Sequence, residues 1–218
     1  MRDDIVTEYN IENITLWLLS LRGVSGAELE EMYTLCSTER RAKADRIKQE
    51  SKRRQSVGAG YLLSLLKGRF LLEEEPVILE GGKPAFRENR AVQFNISHSH
   101  DTVLLAFGDR PLGADIEFVG KANLKIAKRF FAEEEYDFLS GQKEADRGDA
   151  FCRIWTGKEA VGKAEGSGLS LIFDRFSVLG KTVEINEKKY ELYQRKMEID
   201  GRGIWLSAAQ LMTDSGFA

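Results

Sequence analysis

The sequence predicts an α+β fold, and three observations carry that prediction. Segments of helical spacing and short apolar runs of strand length are mixed along the 218 residues. They do not show the regular strand–helix–strand alternation of a parallel sheet. Candidate strands at Val92–Ser97 and Thr102–Gly108 lie close enough to form a hairpin across a polar turn at Ser99–Asp101. The composition, 42% hydrophobic and 31% charged with no low-complexity tract, suits a soluble chain long enough for one large domain or two small ones.

Each element follows from local pattern. Ile14–Leu21 is an apolar run of strand length, and Ser25 is a candidate cap for the helix after it. Ser37-Thr38-Glu39-Arg40 opens a second, charged helix. From Ser51 the charge gives way to Val57, Ala59, Tyr61, Leu62, Leu63, Leu65 and Leu66, whose helical spacing predicts a buried helix ending near Gly68. Val77–Leu79 is a brief strand, and Gly81-Gly82-Lys83-Pro84 reads as a loop. Asp109-Arg110-Pro111 is the candidate boundary, giving halves at 1–110 and 111–218. Beyond it come a strand around Asp115, a helix at Ala122–Phe131, an acidic-apolar helix at Glu133–Leu139 and a long helix at Ala150–Ala164. Strands at Phe176–Leu179, Tyr190–Ile199 and Ile204–Leu211 complete the chain. No direct repeat links the halves.

The totals exclude several classes. A formal charge of −3 argues against general nucleic-acid binding. Cys36 and Cys152 are too few for a disulfide framework and lack metal-ligand spacing. No apolar run reaches the roughly 18 residues of a membrane span. The start, Met1-Arg2-Asp3-Asp4, lacks a signal peptide's apolar core, so a cytoplasmic location is expected.

Two stretches carry the chemistry. In Gly113-Ala114-Asp115-Ile116-Glu117, residues two apart on a strand share a face, so Asp115 and Glu117 can bind one cation. Bare acids beside Leu112, Ile116, Phe118 and Val119 are costly unless paired or metal-bound. In Trp155-Thr156-Gly157-Lys158-Glu159-Ala160-Val161-Gly162-Lys163, Glu159 and Lys163 stand four apart on one helix face. Three carboxylate oxygen ligands suit a hard ion such as Mg²⁺, with positions left for water and substrate phosphate.

Other signals are weaker. The basic run Arg40, Arg41, Lys43, Arg46, Lys48, Lys52, Arg53, Arg54 is either a solvated helix face or a phosphate-monoester site, in which Arg40 and Lys43 share a face and Ser56 adds a hydroxyl. Lys83 is either solvated or held in place by its Gly-Gly-Lys-Pro turn. Phe94-Asn95-Ile96-Ser97-His98-Ser99-His100 holds both histidines. It is too poor in ligands for a transition metal and lacks a nucleophile elbow, which leaves a hairpin turn or a phosphate contact from Ser97 and His98.

The order of these pieces is more specific than any one of them. Gly82-Lys83-Pro84, Phe94-Asn95-Ile96-Ser97-His98-Ser99, Gly113-x-Asp115-Ile116-Glu117, Arg129-Phe130-Phe131-x-x-x-Glu135 and Trp155-Thr156-x-Lys158-Glu159-Ala160-x-x-Lys163-x-x-Gly166-x-Gly168-Leu169 resemble the 4′-phosphopantetheinyl transferases. The likeness is to the long monomeric kind that activates peptide and polyketide synthetases, and it runs from about Ser37 to Val178. It implies two similar α+β halves in a pseudo-twofold arrangement with coenzyme A between them. It also implies transfer of phosphopantetheine from coenzyme A to a serine of an apo acyl- or peptidyl-carrier protein, releasing adenosine 3′,5′-bisphosphate. On this resemblance Asp115, Glu117 and Glu159 would hold Mg²⁺, Glu159 would accept the serine proton and Lys163 would assist the leaving phosphate. Arg40, Lys43 and Ser56 would meet the 3′-phosphate, with Lys83, Ser97 and His98 at the adenosine and phosphate end. Arg54, Pro84 and Lys158 are also assigned to coenzyme A, and Glu135 matches a further acid near the site.

His100 stands where a glycine is common and Arg40 where a lysine is often found. The filled metal and lysine positions count against a non-catalytic coenzyme A-binding module, and dependence on a carrier serine separates the transferase from a pyrophosphatase acting on water. The expected partners are coenzyme A and a carrier protein, with no nucleic acid, no membrane and no second subunit.

Overall fold

The computed structural model describes residues 5–79, 81–166 and 173–213. Ser167, Gly168 and Leu169 of the last motif lie outside the described residues. The chain forms two compact units, one ending at Ile78 and resuming at Pro84–Asp109, the other made of Leu79–Lys83 and the chain from Arg110 onward. Each is a four-stranded antiparallel sheet with one long helix laid on it, so the expected pair of similar α+β halves is what the chain contains.

In the first unit, β1 (Val6–Ile11) and β2 (Ile14–Ser20) pair in a tight hairpin. Helices α1 (Gly26–Leu35), α2 (Thr38–Asp45) and α3 (Glu50–Phe70) follow. Ser25 caps α1 as expected, in a reciprocal box with Glu28, and Ser37 caps α2. The short strands β3 (Val77–Ile78) and β4 (Pro84–Ala85) pair with each other. Strands β5 (Gln93–Ser99) and β6 (Thr102–Gly108) form the expected hairpin, and the sheet order is β1-β2-β6-β5. At its turn His100 takes φ 48°, the left-handed region, which accounts for glycine being common there. A side chain at Gly58 would crowd Leu19, Leu21 and Val103, so the glycine lets α3 settle on the sheet over a core of Leu19, Met32, Leu62, Leu66 and Leu105.

The second unit holds β7 (Leu112–Phe118), α4 (Leu124–Phe130), α5 (Glu133–Ser140) and α6 (Glu144–Glu165). Strands β8 (Thr182–Ile185), β9 (Lys188–Ile199) and β10 (Arg202–Leu211) complete a sheet of order β7-β10-β9-β8. The expected strand at Phe176–Leu179 is absent: a 3₁₀ turn covers Phe173–Arg175 and the chain is irregular until β8. The reason is that backbone groups a neighbouring strand would need are bound by side chains. Lys158 donates to the carbonyls of Phe173 and Phe176, and Glu135 accepts from the Val178 N–H. Among the described residues no helix is long and apolar enough to cross a membrane.

One loop of the first unit is organised by a single carboxylate. Glu74 accepts from the backbone N–H groups of Arg87, Glu88 and Asn89 and from the Asn89 amide. Burial acts to raise its proton affinity, but these donors outweigh that and hold the carboxyl at about 2, far below the ordinary 4.5. A lowered carboxyl pKa contributes stability that is complete above 4.5 and is lost as pH falls toward about 2. Glu74→Gln should therefore lower the urea midpoint at neutral pH, and the gap to the parent should close as pH drops below 4.5. A gap that is constant with pH would show that the charge of Glu74 contributes nothing.

Candidate functional site

Functional side chains gather in each unit. In the first, α2, the start of α3 and the strands β4 and β5 enclose a cavity of about 370 Å³. Its wall includes Arg40 and Lys43 from α2, Lys52, Gln55 and Ser56 from α3, Pro84, and Ile96 and His98 from β5. None of the described lining residues is acidic, and Arg40, Lys43 and Lys52 make this wall electropositive. Burial draws the Arg40 guanidinium below its ordinary proton affinity, with Glu75 opposing, yet an arginine stays charged in a protein. Ser56 is 9% exposed, and its hydroxyl has no hydrogen-bond partner in the protein. A buried hydroxyl left without a partner is costly, which makes it a ready donor to a ligand in this cavity.

Five of the sequence-predicted residues therefore meet here: Arg40, Lys43, Ser56, Pro84 and His98. Others do not. Ser97 is buried on the face of β5 opposite His98, because neighbours on a strand point to opposite sides. Arg54 turns away and donates to the Leu21 and Val24 carbonyls, tying α3 to the end of β2. Lys83 belongs to the second unit, where its amine donates to the Leu112 carbonyl and burial lowers it to about 8. Lys52 comes from the basic run read as a candidate phosphate site, whereas Gln55 was not singled out from sequence, although positions 52, 55, 56 and 59 follow the i, i+3, i+4, i+7 spacing of one helix face.

In the second unit the sequence-predicted residues gather where α6 crosses β7. A side chain at Gly113 would come within 2.2 Å of the Ala160 carbonyl and 2.3 Å of the Ala164 nitrogen. Only glycine lets helix and strand approach this closely, which explains the first residue of the Gly-x-Asp-x-Glu pattern. Asp115 and Glu117 stand two apart on β7, opposite Ser207 and Trp205 of β10. The Lys163 amine reaches across to Asp115 Oδ1 at 2.7 Å and to the Ala114 carbonyl at 3.2 Å. Burial pushes the Glu159 carboxyl above the ordinary glutamate range, and the Asp115 charge adds to this while Lys163 opposes it. Thr156, one turn earlier on α6, hydrogen-bonds the Ser207 hydroxyl at 2.8 Å and locks helix to sheet. Nearby, the Cys152 thiol donates to the Glu117 carbonyl and is pushed up to about 12, chiefly by burial. Among the described residues no three His, Cys, Asp or Glu side chains are gathered closely enough to form a metal cage on their own.

Burial sets two sequence-predicted residues apart from the cavities. Lys158 is 0% exposed and so cannot touch a ligand. Its amine is enclosed by Glu135 at 2.6 Å, by the Phe173 and Phe176 carbonyls, and by the Phe176 ring at 4.3 Å. Glu135 is equally enclosed and also accepts from the N–H groups of Ala132 and Val178. It is an internal brace. Burial pushes the Glu135 carboxyl up and the Lys158 amine down, and each partner pulls the other back toward its charged form.

Residues 111–199 match the 4′-phosphopantetheinyl transferase superfamily. The chain is 34% identical over 188 residues to 4′-phosphopantetheinyl transferase Sfp of Bacillus subtilis (strain 168), spanning 82% of this chain and 84% of that protein. It is 31% identical over 169 residues to 4′-phosphopantetheinyl transferase HetI of Nostoc sp., covering 73% and 71% of the two chains. A crystal structure of Thermotoga maritima holo-[acyl-carrier-protein] synthase aligns over 46% of this chain and 62% of its own at 21% identity, with a TM-score of 0.33, too low to bear on the fold. The chain belongs to the 4′-phosphopantetheinyl transferase superfamily and is an enzyme of that type.

The buried ion pair gives a prediction. Lys158→Met leaves the Glu135 charge without its partner and should cost about 3–5 kcal/mol. The double variant Glu135→Leu, Lys158→Met should recover part of that loss in urea denaturation, because no isolated charge remains buried. Equal losses in the single and double variants would show that the pairing itself contributes nothing.

Proposed function

We propose that this chain transfers 4′-phosphopantetheine from coenzyme A to a serine hydroxyl of an apo carrier protein. The observation that carries the substrate is the cavity of the first unit: cationic walls with no acid, and a buried serine hydroxyl without a partner. This is the setting a phosphate monoester requires, and the 3′-phosphate of coenzyme A is one. Arg40 and Lys43 neutralise it, Ser56 donates to it, and His98 adds a donor from β5.

The chemistry falls to the second unit. The serine oxygen forms a bond to the phosphorus that bears pantetheine, and the bond from that phosphorus to the anhydride oxygen breaks. Adenosine 3′,5′-bisphosphate leaves with the electron pair. Glu159 is the base for the serine proton; its carboxyl, already drawn toward protonation by burial and by Asp115, is suited to accept one. Lys163 stands at Asp115 and brings positive charge to the leaving oxygens.

The donor chemistry suits a hard divalent cation, although among the described residues the three carboxylates are not drawn into one cage without it. Asp115, Glu117 and Glu159 offer only carboxylate oxygen, and Glu159 feels the Asp115 charge with one lysine to offset it. These three residues would hold Mg²⁺, which when bound supplies charge neutralisation on the anhydride oxygens. Gly113 keeps the backbones of α6 and β7 close together beneath these residues.

Intact-mass spectrometry of an apo carrier protein incubated with the enzyme, coenzyme A and Mg²⁺ tests the reading. The carrier should gain one phosphopantetheine, and EDTA should abolish the gain. Asp115→Asn and Glu159→Gln should each lower kcat on the order of 10²-fold or more while the protein stays folded. Wild-type turnover in either variant would remove these carboxylates from the chemistry, and turnover in EDTA would remove the metal.

A further inference from the structure

We infer that Lys52, on the first turn of α3, is a specificity-determining residue that makes this enzyme discriminate for the 3′-phosphate of coenzyme A. The inference rests on the reading of the cationic cavity as the 3′-phosphate site. Lys52, Gln55, Ser56 and Ala59 occupy one face of α3, and all four line that cavity. Lys52 stands one helical turn before Ser56, whose buried hydroxyl lacks a protein partner and so marks where a ligand oxygen belongs. Ala59, on the same stripe, is too small to fill the space above it.

Lys52 is an exposed lysine, and its place on the cavity wall gives its charge a role beyond solvation. Arg40 and Lys43 approach from α2, and Lys52 adds a cation from a different element. A phosphate monoester carries close to two negative charges at neutral pH, so a third cation still has charge to act on. Lys52 also lies in the first turn of α3, where the helix dipole favours an anion. Gln55 fixes the register of this wall, its amide donating to the His100 carbonyl at 2.6 Å. Lys52 thus acts on the group that distinguishes coenzyme A from its 3′-dephospho form, and not on the anhydride where bonds change.

The test compares coenzyme A with 3′-dephospho-coenzyme A as donor to one apo carrier protein, in the parent and in Lys52→Met. In the parent, kcat/KM should be higher for coenzyme A. In Lys52→Met the ratio of the two kcat/KM values should fall by about fivefold, through KM for coenzyme A. Lys52→Arg should restore the ratio. An unchanged ratio in Lys52→Met, with the parent still discriminating, overturns the role of Lys52 and leaves the 3′-phosphate site standing. A parent that uses both donors equally overturns the assignment of the cavity itself, and the inference with it.

Discussion

The closeness of α6 to β7 is the constraint on which the second unit depends. A helix backbone normally stands off a sheet by the depth of the side chains between them. At Gly113 that spacing is gone, and the strand meets the helix at the level of the Ala160 carbonyl and the Ala164 nitrogen. The consequence is electrostatic as well as steric. Carboxylates on the strand and on the helix are brought within mutual influence, and Lys163 reaches Asp115 without crossing solvent. The Thr156–Ser207 hydrogen bond holds the same face of α6 farther along, so the helix is fixed in rotation as well as in height.

Much of this was legible in the sequence because it is local. The Ser25 and Ser37 caps, the β5–β6 hairpin and the shared face of Asp115 and Glu117 depend on near neighbours, and the pattern rules for caps and strands describe near neighbours well. What was misread depends on distant partners. Phe176–Leu179 has the residues of a strand, but Lys158 and Glu135 hold its backbone from other helices. β1 escaped notice because only its pairing to β2, not an apolar run of its own, makes it a strand. Ser97 and His98 looked like one site until strand geometry set them on opposite faces. Lys158, a charged residue inside a motif, invited a role at the ligand, and only burial shows that its partner is internal.

The two units treat charge in contrasting ways. In the first, Arg40, Lys43 and Lys52 face an open cavity with no acid among its walls. In the second, acids are answered from within the protein: Asp115 by Lys163, Glu135 by Lys158. The Lys158 ammonium has three donors, and the structure supplies three acceptors for them in Glu135 and two carbonyls. Such a site is satisfied as a whole, so the residues that make it are tied to one another rather than to substrate.

The hydrogen bond from Gln55 to the His100 carbonyl is modest in itself, but it joins the two walls of the cationic cavity. One wall is helix α3 and the other ends in the turn of the β5–β6 hairpin, so the gap between them equals the reach of one glutamine. That single amide therefore links the helix to the hairpin turn beside the recess, so the two elements move as one.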